Sequence, residues 1–426
     1  MKRGYNDRML SIDFIRENKQ KVLDALKNKN READIEGILL LDDQRKKGIQ
    51  EAQVLREERN KIAKQPFTDE TKKRGKEIKD LLKTIESDLT ATEEKLHRLL
   101  SFVPSVPLDE VPVGKSEKDN QELRKVGTVP TFSFPIKDHT QLGVDLDIID
   151  FERGAKVSGY RGYFLKNQGA ILHMALLLYV FKKLMLKGYT PMIAPAIIKK
   201  FTLFGSGHLP WGEKELYKLN GEDDDAYLSA TAEIPITSYF SNEILQEKDL
   251  PKKFVAFSPC FRSEAGSYGK DTKGLYRVHE FWKIEQVVIG NNDMDNARKI
   301  HEELQQNAEE ILTDLGLPYR VLLMCTGDMG EPQIKKYDIE TWMPSREGYG
   351  ETMSNSMMGD FQTRRLKIKY RNKHGETAYC YSFNNTAVAS PRILIALLEN
   401  YQQADGSILI PKVLQELTGF AKIEAK

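Results

Sequence analysis

The feature that most constrains the fold is a regular apolar seam early in the chain. Between residues 78 and 99 the seam positions alternate at spacings of four and three, on Ile78, Leu82, Ile85, Leu89, Thr92, Leu96 and Leu99. This repeat is typical of a helix that buries one stripe against a second helix. A less regular seam precedes it, on Leu41, Arg45, Gly48, Ala52, Leu55, Arg59 and Ile62. Two consecutive seams predict an antiparallel coiled-coil hairpin over about residues 38–102.

The break between the two seams indicates where the chain turns. Pro66 interrupts the pattern, and Thr68 or Asp69 is a suitable cap for the second helix. The same seams would also suit one arm of an oligomeric helical bundle. The turn end is basic, which makes it a candidate contact to an RNA backbone through Lys72, Lys73, Arg74 and Lys76. A run of charge is usually a solvated face, so both interpretations stay open.

A mixed α/β chain follows the hairpin. Prolines at 104, 107 and 112 end the helical pattern, and the polar stretch 114–120 is typical of a linker. We expect an N-terminal arm at residues 1–110, a linker at 111–127 and a second domain at 128–426. Within that domain, the sequence predicts an apolar helix over residues 168–186 and then an extended segment that ends at Pro195.

Composition excludes several classes of protein. Lys and Arg number 64 and Asp and Glu 63, so the formal net charge of +1 excludes a uniformly basic RNA-coating protein. The cysteines Cys260, Cys325 and Cys380 are far apart, which indicates a reducing compartment and no cysteine zinc site. The longest nearly uncharged apolar run covers residues 169–181. It is shorter than the ~20 residues of a bilayer span, so we expect no membrane partner.

The stretch that carries most chemical information is a predicted β-hairpin. One strand is expected to end at Glu264, a glycine-rich connection covers residues 265–274, and a second strand covers residues 275–289. Because side chains alternate across a strand, one face collects Arg262, Glu264, Arg277, His279, Phe281, Lys283 and Glu285. A polar face in water is the ordinary meaning of such alternation. Two arginines and an aromatic also suit phosphate oxygens and a purine ring.

Three other segments add compatible side chains. Thr231, Ala232 and Glu233 precede a helix-like stretch, and Glu351, Thr352, Met353 and Ser354 offer oxygen ligands for Mg²⁺ on a predicted strand. Asn384, Asn385 and Thr386 precede Arg392, which opens a predicted amphipathic helix where the helix dipole favours phosphate. Each segment alone also fits a polar turn, a solvated strand or a capped helix.

Together these residues resemble the class II aminoacyl-tRNA synthetases, in the seryl-tRNA synthetase version. The second signature motif of that family is similar to FRSEAGSYGKDTKGLYRVHEFWKIEQ at 261–286, and the third to ASPRILIALLEN at 389–400. Thr231–Glu233 resembles the serine-binding loop, and the helix and strand ending at Pro195 resemble the dimer-forming first motif. The resemblance spans nearly the whole chain. It implies an α+β fold, with the helical hairpin followed by a catalytic domain on an antiparallel β-sheet.

The resemblance also implies roles for individual residues. The implied ATP-binding set is Arg262, Ser263, Glu264, Arg277, Val278, Phe281, Glu351, Thr352, Met353, Ser354 and Arg392. Within it Arg262, Glu264, Arg277 and Arg392 are the catalytic candidates, and Glu351 and Ser354 the Mg²⁺ ligands. The implied serine-binding set is Thr231, Ala232, Glu233, Arg262, Glu285, Asn384 and Thr386.

The implied function is a two-step, ATP-dependent ligation of L-serine to the 3′ end of tRNA(Ser), by a homodimer. Two alternatives are a catalytically inactive RNA-binding or scaffolding paralogue and a ligase that aminoacylates a carrier protein. The retained arginines at 262, 277 and 392 argue against the first, and the long arm against the second.

The third motif departs from the usual bacterial form. Asn384-Asn385-Thr386-Ala387 stands where bacterial members usually have Asn-Gly-Ser-Gly, and Pro391 stands where they have Gly. Thr386 keeps a hydroxyl for serine. The variant resembles organellar or fungal mitochondrial members, so we expect the mitochondrial matrix, with the cytoplasm as the alternative. The connection between the arm helices is also shorter than in typical bacterial relatives.

Overall fold

From residue 10 on, the N-terminal part of the protein contains the helices α1 (Ile12–Glu17), α2 (Lys19–Asn28), α3 (Ile35–Ile62) and α4 (Asp69–Leu100). The structure is a computed structural model, which describes residues 10–219, 225–265 and 273–424. The chain divides into two compact units, Met1–Val106 and Pro107–Lys426. In the first unit the chain reverses between α3 and α4, and these two long helices pack against each other.

The predicted seams hold this helical pair together. Ala52 of α3 packs with Ile78 and Leu82 of α4, all within 5% exposure, and Leu55, Ile62 and Ile85 pack against them. Burying a side chain such as Ile or Leu contributes about 1.5–3 kcal/mol. The irregular seam position Arg45 is buried as well, because its guanidinium pairs with Asp42 at 2.9 Å.

The second helix of the hairpin, α4, begins at one of the two predicted caps. The Thr68 hydroxyl accepts a hydrogen bond from the backbone N–H of Thr71, at 3.2 Å. Such a cap stabilises a helix by about 1 kcal/mol because it satisfies an otherwise unpaired N–H. Of the two predicted caps, Thr68 or Asp69, the structure therefore confirms Thr68.

The second unit is built on an eight-stranded sheet with the order β1-β10-β11-β12-β15-β9-β8-β4. These strands are β1 (Gln121–Val126), β4 (Thr190–Ile193), β8 (Lys252–Phe261), β9 (Glu280–Gly290), β10 (Tyr319–Leu323), β11 (Lys335–Met343), β12 (Gly348–Gly359) and β15 (Tyr381–Ser390). Every neighbouring pair is antiparallel except β4 and β8. The expected α+β domain on an antiparallel sheet is confirmed.

Smaller elements complete the second unit. The short strands are β2 (Ile149–Asp150), β3 (Phe164–Leu165), β5 (Ile197–Lys199), β6 (Ala226–Leu228), β7 (Ile244–Gln246), β13 (Lys369–Arg371), β14 (Thr377–Tyr379), β16 (Ile408–Leu409) and β17 (Lys422–Ile423). The helices are α5 (His139–Asp145), α6 (Phe151–Ser158), α7 (Asn167–Leu186), α8 (Lys200–Ser206), α9 (Glu233–Thr237), α10 (Met294–Asp314), α11 (Phe361–Leu366), α12 (Arg392–Asn400) and α13 (Lys412–Thr418). The main core lies between the sheet and α7, α10 and α12.

The sheet differs from the sequence prediction at several boundaries. The first strand of the hairpin ends at Phe261 rather than Glu264, and Glu264 has a left-handed φ of +53°, which is incompatible with a strand at that residue. The second strand begins at Glu280 rather than at 275. Most of the glycine-rich connection lies outside the described residues. The expected linker at 111–127 contains β1, which pairs with β10 and so belongs to the sheet.

Two apolar helices have different surroundings. The helix α12 was predicted to be amphipathic, but residues 393–399 are all buried, because the helix is enclosed by β11, β15 and α5. The helix α7 buries Leu172, Leu176 and Val180 against the sheet and α13. Among the described residues, α7 is the one helix long and apolar enough to cross a membrane, although 44% of its apolar window is buried inside the protein.

Candidate functional site

One open cavity lies over the middle of the sheet, with a volume of about 990 Å³ including the space at its mouth. Its walls are His208, Thr231, Glu233, Arg262, Glu264, Leu275, Tyr276, Arg277, Val278, Phe281, Lys283, Glu285, Gln333, Lys336, Glu351, Thr352, Met353, Ser354, Ser356, Asn384, Thr386, Ala389, Ser390, Pro391 and Arg392. Most of these side chains are polar or charged, which is typical of a site for a charged ligand.

The alternation of side chains along four neighbouring strands builds the floor of this cavity. Phe281, Lys283 and Glu285 come from β9, and Thr386 lies opposite Glu285 on β15. Further along the sheet, Ser356 of β12 lies opposite both Asn384 of β15 and Lys336 of β11. The residues between these positions turn to the opposite face, where they meet α10. The sheet therefore brings together segments more than a hundred residues apart in the chain.

At one end of the cavity a guanidinium covers an aromatic ring. The Arg262 guanidinium carbon lies 5.2 Å from the centre of the Phe281 ring. The neighbouring Arg277 pairs with Glu264, with 3.2 Å between Nη1 and Oε2, and Arg161 lies 3.7 Å from the same oxygen. A flat ring beside three cations is a suitable surface for a heteroaromatic base that carries phosphate.

The start of α12 adds a second cation–carboxylate pair. Arg392 donates to a Glu351 carboxylate oxygen at 3.2 Å and to the Glu351 carbonyl at 3.1 Å. Its guanidinium also lies 4.5 Å from the centre of the Tyr276 ring. The partly buried position of Glu351 would raise the pKa of its carboxyl, but the charges of Arg392, Lys336 and Arg262 hold it below its ordinary value. Glu351 is therefore a carboxylate at neutral pH.

The deepest part of the cavity is a small acidic pocket. Glu285 is 1% exposed, and its carboxylate pairs with the Lys283 ammonium at 2.5 Å. Lys283 also donates to the Thr231 hydroxyl at 2.7 Å, and the Thr386 hydroxyl donates to Glu285 at 3.3 Å. This group can receive an ammonium and a hydroxyl in close proximity, because it combines carboxylate oxygens with rotatable hydroxyls.

Glu233 is a second buried carboxyl in this pocket. Burial and the nearby charge of Glu285 raise its pKa to about 7, against the opposing hydrogen bond from Gln362. Gln362 is fully buried and donates to Glu233 Oε1 at 2.7 Å. On the same wall, burial together with Arg262 and Lys283 lowers the pKa of His208 to about 3, so this imidazole is neutral. A cationic ligand would complete the charge balance of the pocket.

The structure brings all but two of the residues predicted to bind ATP, Mg²⁺ or serine into this one cavity. The exceptions are Ser263, whose hydroxyl donates to the Lys214 carbonyl at 2.6 Å, and Ala232, which is fully buried in an apolar cluster. Their side chains do not line the cavity, because one faces a neighbouring loop and the other the core.

Several cavity residues were not predicted, notably His208, Tyr276, Gln333, Lys336 and Ser356. Tyr276 lies within the hairpin motif at 261–286, so the motif could have indicated it. Lys336 and Ser356 enter the cavity through strand pairing, and no local motif marks them.

One carboxylate and one hydroxyl are available as oxygen ligands for a metal at the cavity wall. Glu351 has a side chain 44% exposed, and Ser354 lies three residues further along β12. The part of the chain that the structure describes contains no cluster of three or more His, Cys, Asp or Glu residues able to hold a metal ion. This donor set fits Mg²⁺, which often takes one or two carboxylates and obtains its other ligands from water and substrate phosphates.

The basic residues of the arm differ in their surroundings. Lys72, Lys73 and Lys76 are exposed near the start of α4. Arg74 instead donates to both oxygens of Glu58 at 2.7 and 3.0 Å and to Glu77 at 3.2 Å. Arg74 therefore joins α3 to α4, and the three lysines remain the exposed cations of this group.

Comparisons with known proteins agree with this architecture. The model of the seryl-tRNA synthetase N-terminal domain matches residues 9–107, and that of the tRNA synthetase class II core domain (G, H, P, S and T) matches residues 217–401. A serine–tRNA ligase of Deinococcus radiodurans is 44% identical over 417 residues, covering 96% of this chain and 98% of that protein. One of Treponema denticola is 44% identical over 425 residues, covering 97% of this chain and all of that protein.

Solved structures give the same result. A seryl-tRNA synthetase from Pyrococcus horikoshii complexed with ATP has a TM-score of 0.91 at 38% identity, over 98% of this chain and 100% of that one. A cytoplasmic serine–tRNA ligase from Naegleria fowleri in complex with AMP has a TM-score of 0.88 at 30% identity, over 98% and 99% of the two chains. The similarity thus covers both the helical arm and the sheet that carries the cavity.

Proposed function

The chain belongs to the seryl-tRNA synthetase family, and on this premise we propose that its cavity activates L-serine with ATP and passes the seryl group to tRNA(Ser). The observation that carries the proposal is the presence of two different chemistries in one cavity. Arginines and an aromatic ring line one end, and the buried pocket of Glu233, Glu285 and Thr386 lies at the other. A nucleotide and an amino acid can therefore bind side by side.

The first step is attack of the serine carboxylate on the α-phosphorus of ATP. The bond from the α-phosphorus to the bridging oxygen breaks, and its electron pair leaves with pyrophosphate. Arg262 would hold the α-phosphate, Phe281 would stack on adenine, and Arg277 and Arg392 would hold the other phosphates. To receive ATP, Arg277 must exchange Glu264 for phosphate, which frees that carboxylate to accept from the adenine amino group. Positioning and charge neutralisation of this kind need no covalent enzyme intermediate.

Serine recognition would depend on the acidic pocket. Glu233 and Thr231 would hold the ammonium, and Glu285 and Thr386 the hydroxyl. Alanine lacks that hydroxyl and would leave a buried carboxylate without a partner, which is the stronger penalty. Threonine adds a methyl group, which an enclosed pocket rejects by a steric clash. In the second step a ribose hydroxyl at the tRNA 3′ end attacks the seryl carbonyl, and AMP leaves.

We also propose that Glu351 and Ser354 hold Mg²⁺ when ATP is bound. The ion would supply positive charge to the phosphate oxygens. The Glu351 carboxylate stays ionised because of Arg392, Lys336 and Arg262, as a metal ligand must.

A homodimer is a further part of the proposal. The outer side of α7 exposes Ile171, Met174 and Leu178 by 45–51%, and Ile193 of β4 is 80% exposed. Together with Phe257 they line one apolar groove. A large exposed apolar patch is typical of a protein interface. A second copy of the chain would cover it.

For the location we propose the mitochondrial matrix, with the cytoplasm as the alternative. The support is the variant third motif, in which Thr386 and Pro391 replace the more usual Ser and Gly. Cell fractionation with an antibody to the chain tests this proposal. Recovery of the protein in the cytosolic fraction alone would refute it.

Serine-dependent exchange of pyrophosphate into ATP tests the proposed reaction. We expect exchange with serine and much slower exchange with alanine or threonine, followed by acylation of tRNA(Ser). Exchange without acylation of tRNA, but with acylation of a carrier protein, would favour the carrier ligase. The absence of both exchange and ATP binding would favour the inactive paralogue.

A further inference from the structure

One group of polar residues in the cavity contacts neither ATP nor serine in the assignments above. Gln333, Lys336 and Ser356 all line it. Lys336 and Ser356 lie opposite each other on β11 and β12, and Gln333 donates to the Ser356 hydroxyl at 2.9 Å. Of the three, Lys336 alone brings a full positive charge to this wall.

The position of the Lys336 ammonium is defined by one carboxylate. Lys336 donates to Asp338 at 2.9 Å, and the two side chains share the cavity face of β11 because they are two residues apart. Lys336 is 15% exposed and Asp338 is 7% exposed. The residues between and beside them face the opposite way, as shown by Tyr337, which stacks on His301 at 4.9 Å.

This ammonium lies next to the proposed metal ligand. Its charge is one of the three that stabilise the Glu351 carboxylate. Asp338 lies opposite Ser354 in the sheet, so it is the next carboxylate along this wall. Asp338 pairs with Lys336, so its carboxylate is already occupied and does not serve a second metal ion. The positive charge at this point of the wall is the Lys336 ammonium. Serine, by contrast, would bind two and three strands away, on β15 and β9.

We propose that Lys336 binds the β- and γ-phosphates of ATP and the pyrophosphate that leaves, in the place of a second protein-bound divalent ion. The inference rests on the proposed activation of serine and adds a residue to that same site. Lysine binds phosphate as a point charge through up to three N–H donors. No bond forms to Lys336, since the electron pair of the broken P–O bond stays on pyrophosphate, where the ammonium stabilises it.

Affinities for ATP and AMP, measured by calorimetry with Mg²⁺, separate this role from a general effect on the site. The Lys336→Gln variant should bind ATP about tenfold more weakly, since a hydrogen bond to a charged group contributes roughly 1.5–3 kcal/mol before solvent screening. AMP affinity and the KM for serine should stay unchanged. The Mg²⁺ concentration for half-maximal exchange should rise. Lys336→Arg should retain most ATP affinity, because it keeps the charge.

One further variant controls for the broken ion pair, and another controls for the removal of a neighbouring charge. Lys336→Gln alone leaves Asp338 without its cation, so Lys336→Gln/Asp338→Asn replaces the ion pair by two amides. The double variant should still bind ATP weakly and AMP normally. Lys335→Gln removes the neighbouring cation, which faces Glu110 and Glu302 instead, and should leave ATP affinity unchanged.

The outcomes distinguish the inference from the function on which it rests. Wild-type protein without ATP binding or serine-dependent exchange would refute the proposed function. Active wild-type protein with equal losses of ATP and AMP affinity in the Lys336 variant would overturn the inference, as would normal ATP affinity in the double variant. A change in the KM for serine alone would place Lys336 in the amino-acid pocket and would also overturn it.

Discussion

Replacement of Glu233 by Gln should separate the function of the acidic pocket from its cost in stability. Glu233 is 9% exposed, and burial beside Glu285 raises its pKa to about 7 from an ordinary value of 4.5. The glutamine keeps the shape of the side chain and an oxygen for the Gln362 amide. It removes the negative charge that, in the proposed function, pairs with the ammonium of serine.

The raised pKa fixes the direction of both effects. Only the ionised carboxylate pairs with an ammonium, so kcat/KM for serine should fall about tenfold from pH 8 to pH 6, where about one tenth of Glu233 is charged. For folding, the neutral form is the stable one. The stability that the protonated carboxyl contributes to the folded state is fully present below the unfolded pKa of 4.5. It is lost as the pH rises from there through the folded pKa of about 7. A shift of about 2.5 units corresponds to about 3 kcal/mol.

Two assays with one control check these numbers. Pyrophosphate exchange at saturating ATP between pH 6 and pH 8 gives kcat/KM for serine, and urea unfolding over pH 5–8 gives stability. The Glu233→Gln variant should show a low, flat kcat/KM profile. The free energy of unfolding of the variant minus that of wild type should rise by about 2 to 3 kcal/mol between pH 5 and pH 8. Glu243→Gln, at an exposed position, should change neither quantity.

Three results would refute this reasoning. A wild-type profile that is flat across neutral pH would show that Glu233 is already ionised at pH 6. A variant with normal serine KM would show that the charge does not bind serine. A stability difference that is independent of pH would show that burial does not disfavour the carboxylate.

Other predictions follow from the same contacts. Glu285→Ala should abolish serine-dependent exchange while ATP binding by calorimetry largely survives, because Glu285 contacts Lys283 and Thr386 rather than the arginine end; unchanged exchange would contradict this role. Changing Lys72, Lys73 and Lys76 to Glu should weaken tRNA binding and reduce its dependence on salt, without an effect on exchange; unchanged binding would make these lysines a solvated surface. Leu178→Asp should produce monomers in sedimentation velocity, and an unaltered sedimentation coefficient would place the interface elsewhere.

Much of the fold and site could be predicted from local patterns. The four-three spacing from Ile78 to Leu99 depends only on the helical period, so it located α4, and the residue types at 68 and 69 limited its cap to Thr68 or Asp69. The hairpin motif likewise contains Arg262, Arg277, Phe281 and Glu285 within a short stretch. Local propensity did not predict that α12 is buried on all sides. Its surroundings include β11 and α5, which are distant in the chain, as well as the preceding strand β15.

The amino-acid sequence by itself therefore determined the helical hairpin, the class of the second unit and the main chemical groups of the cavity. The tertiary structure decided where strands begin and end, and which of these groups meet. One strand ended at Phe261, before the left-handed backbone at Glu264, and the pairing of β11 with β12 brought Lys336 into the cavity. The physical reason is that side-chain period is a local property. Burial, charge balance and the raised pKa of Glu233 depend on neighbours that only the folded sheet brings within a few ångströms.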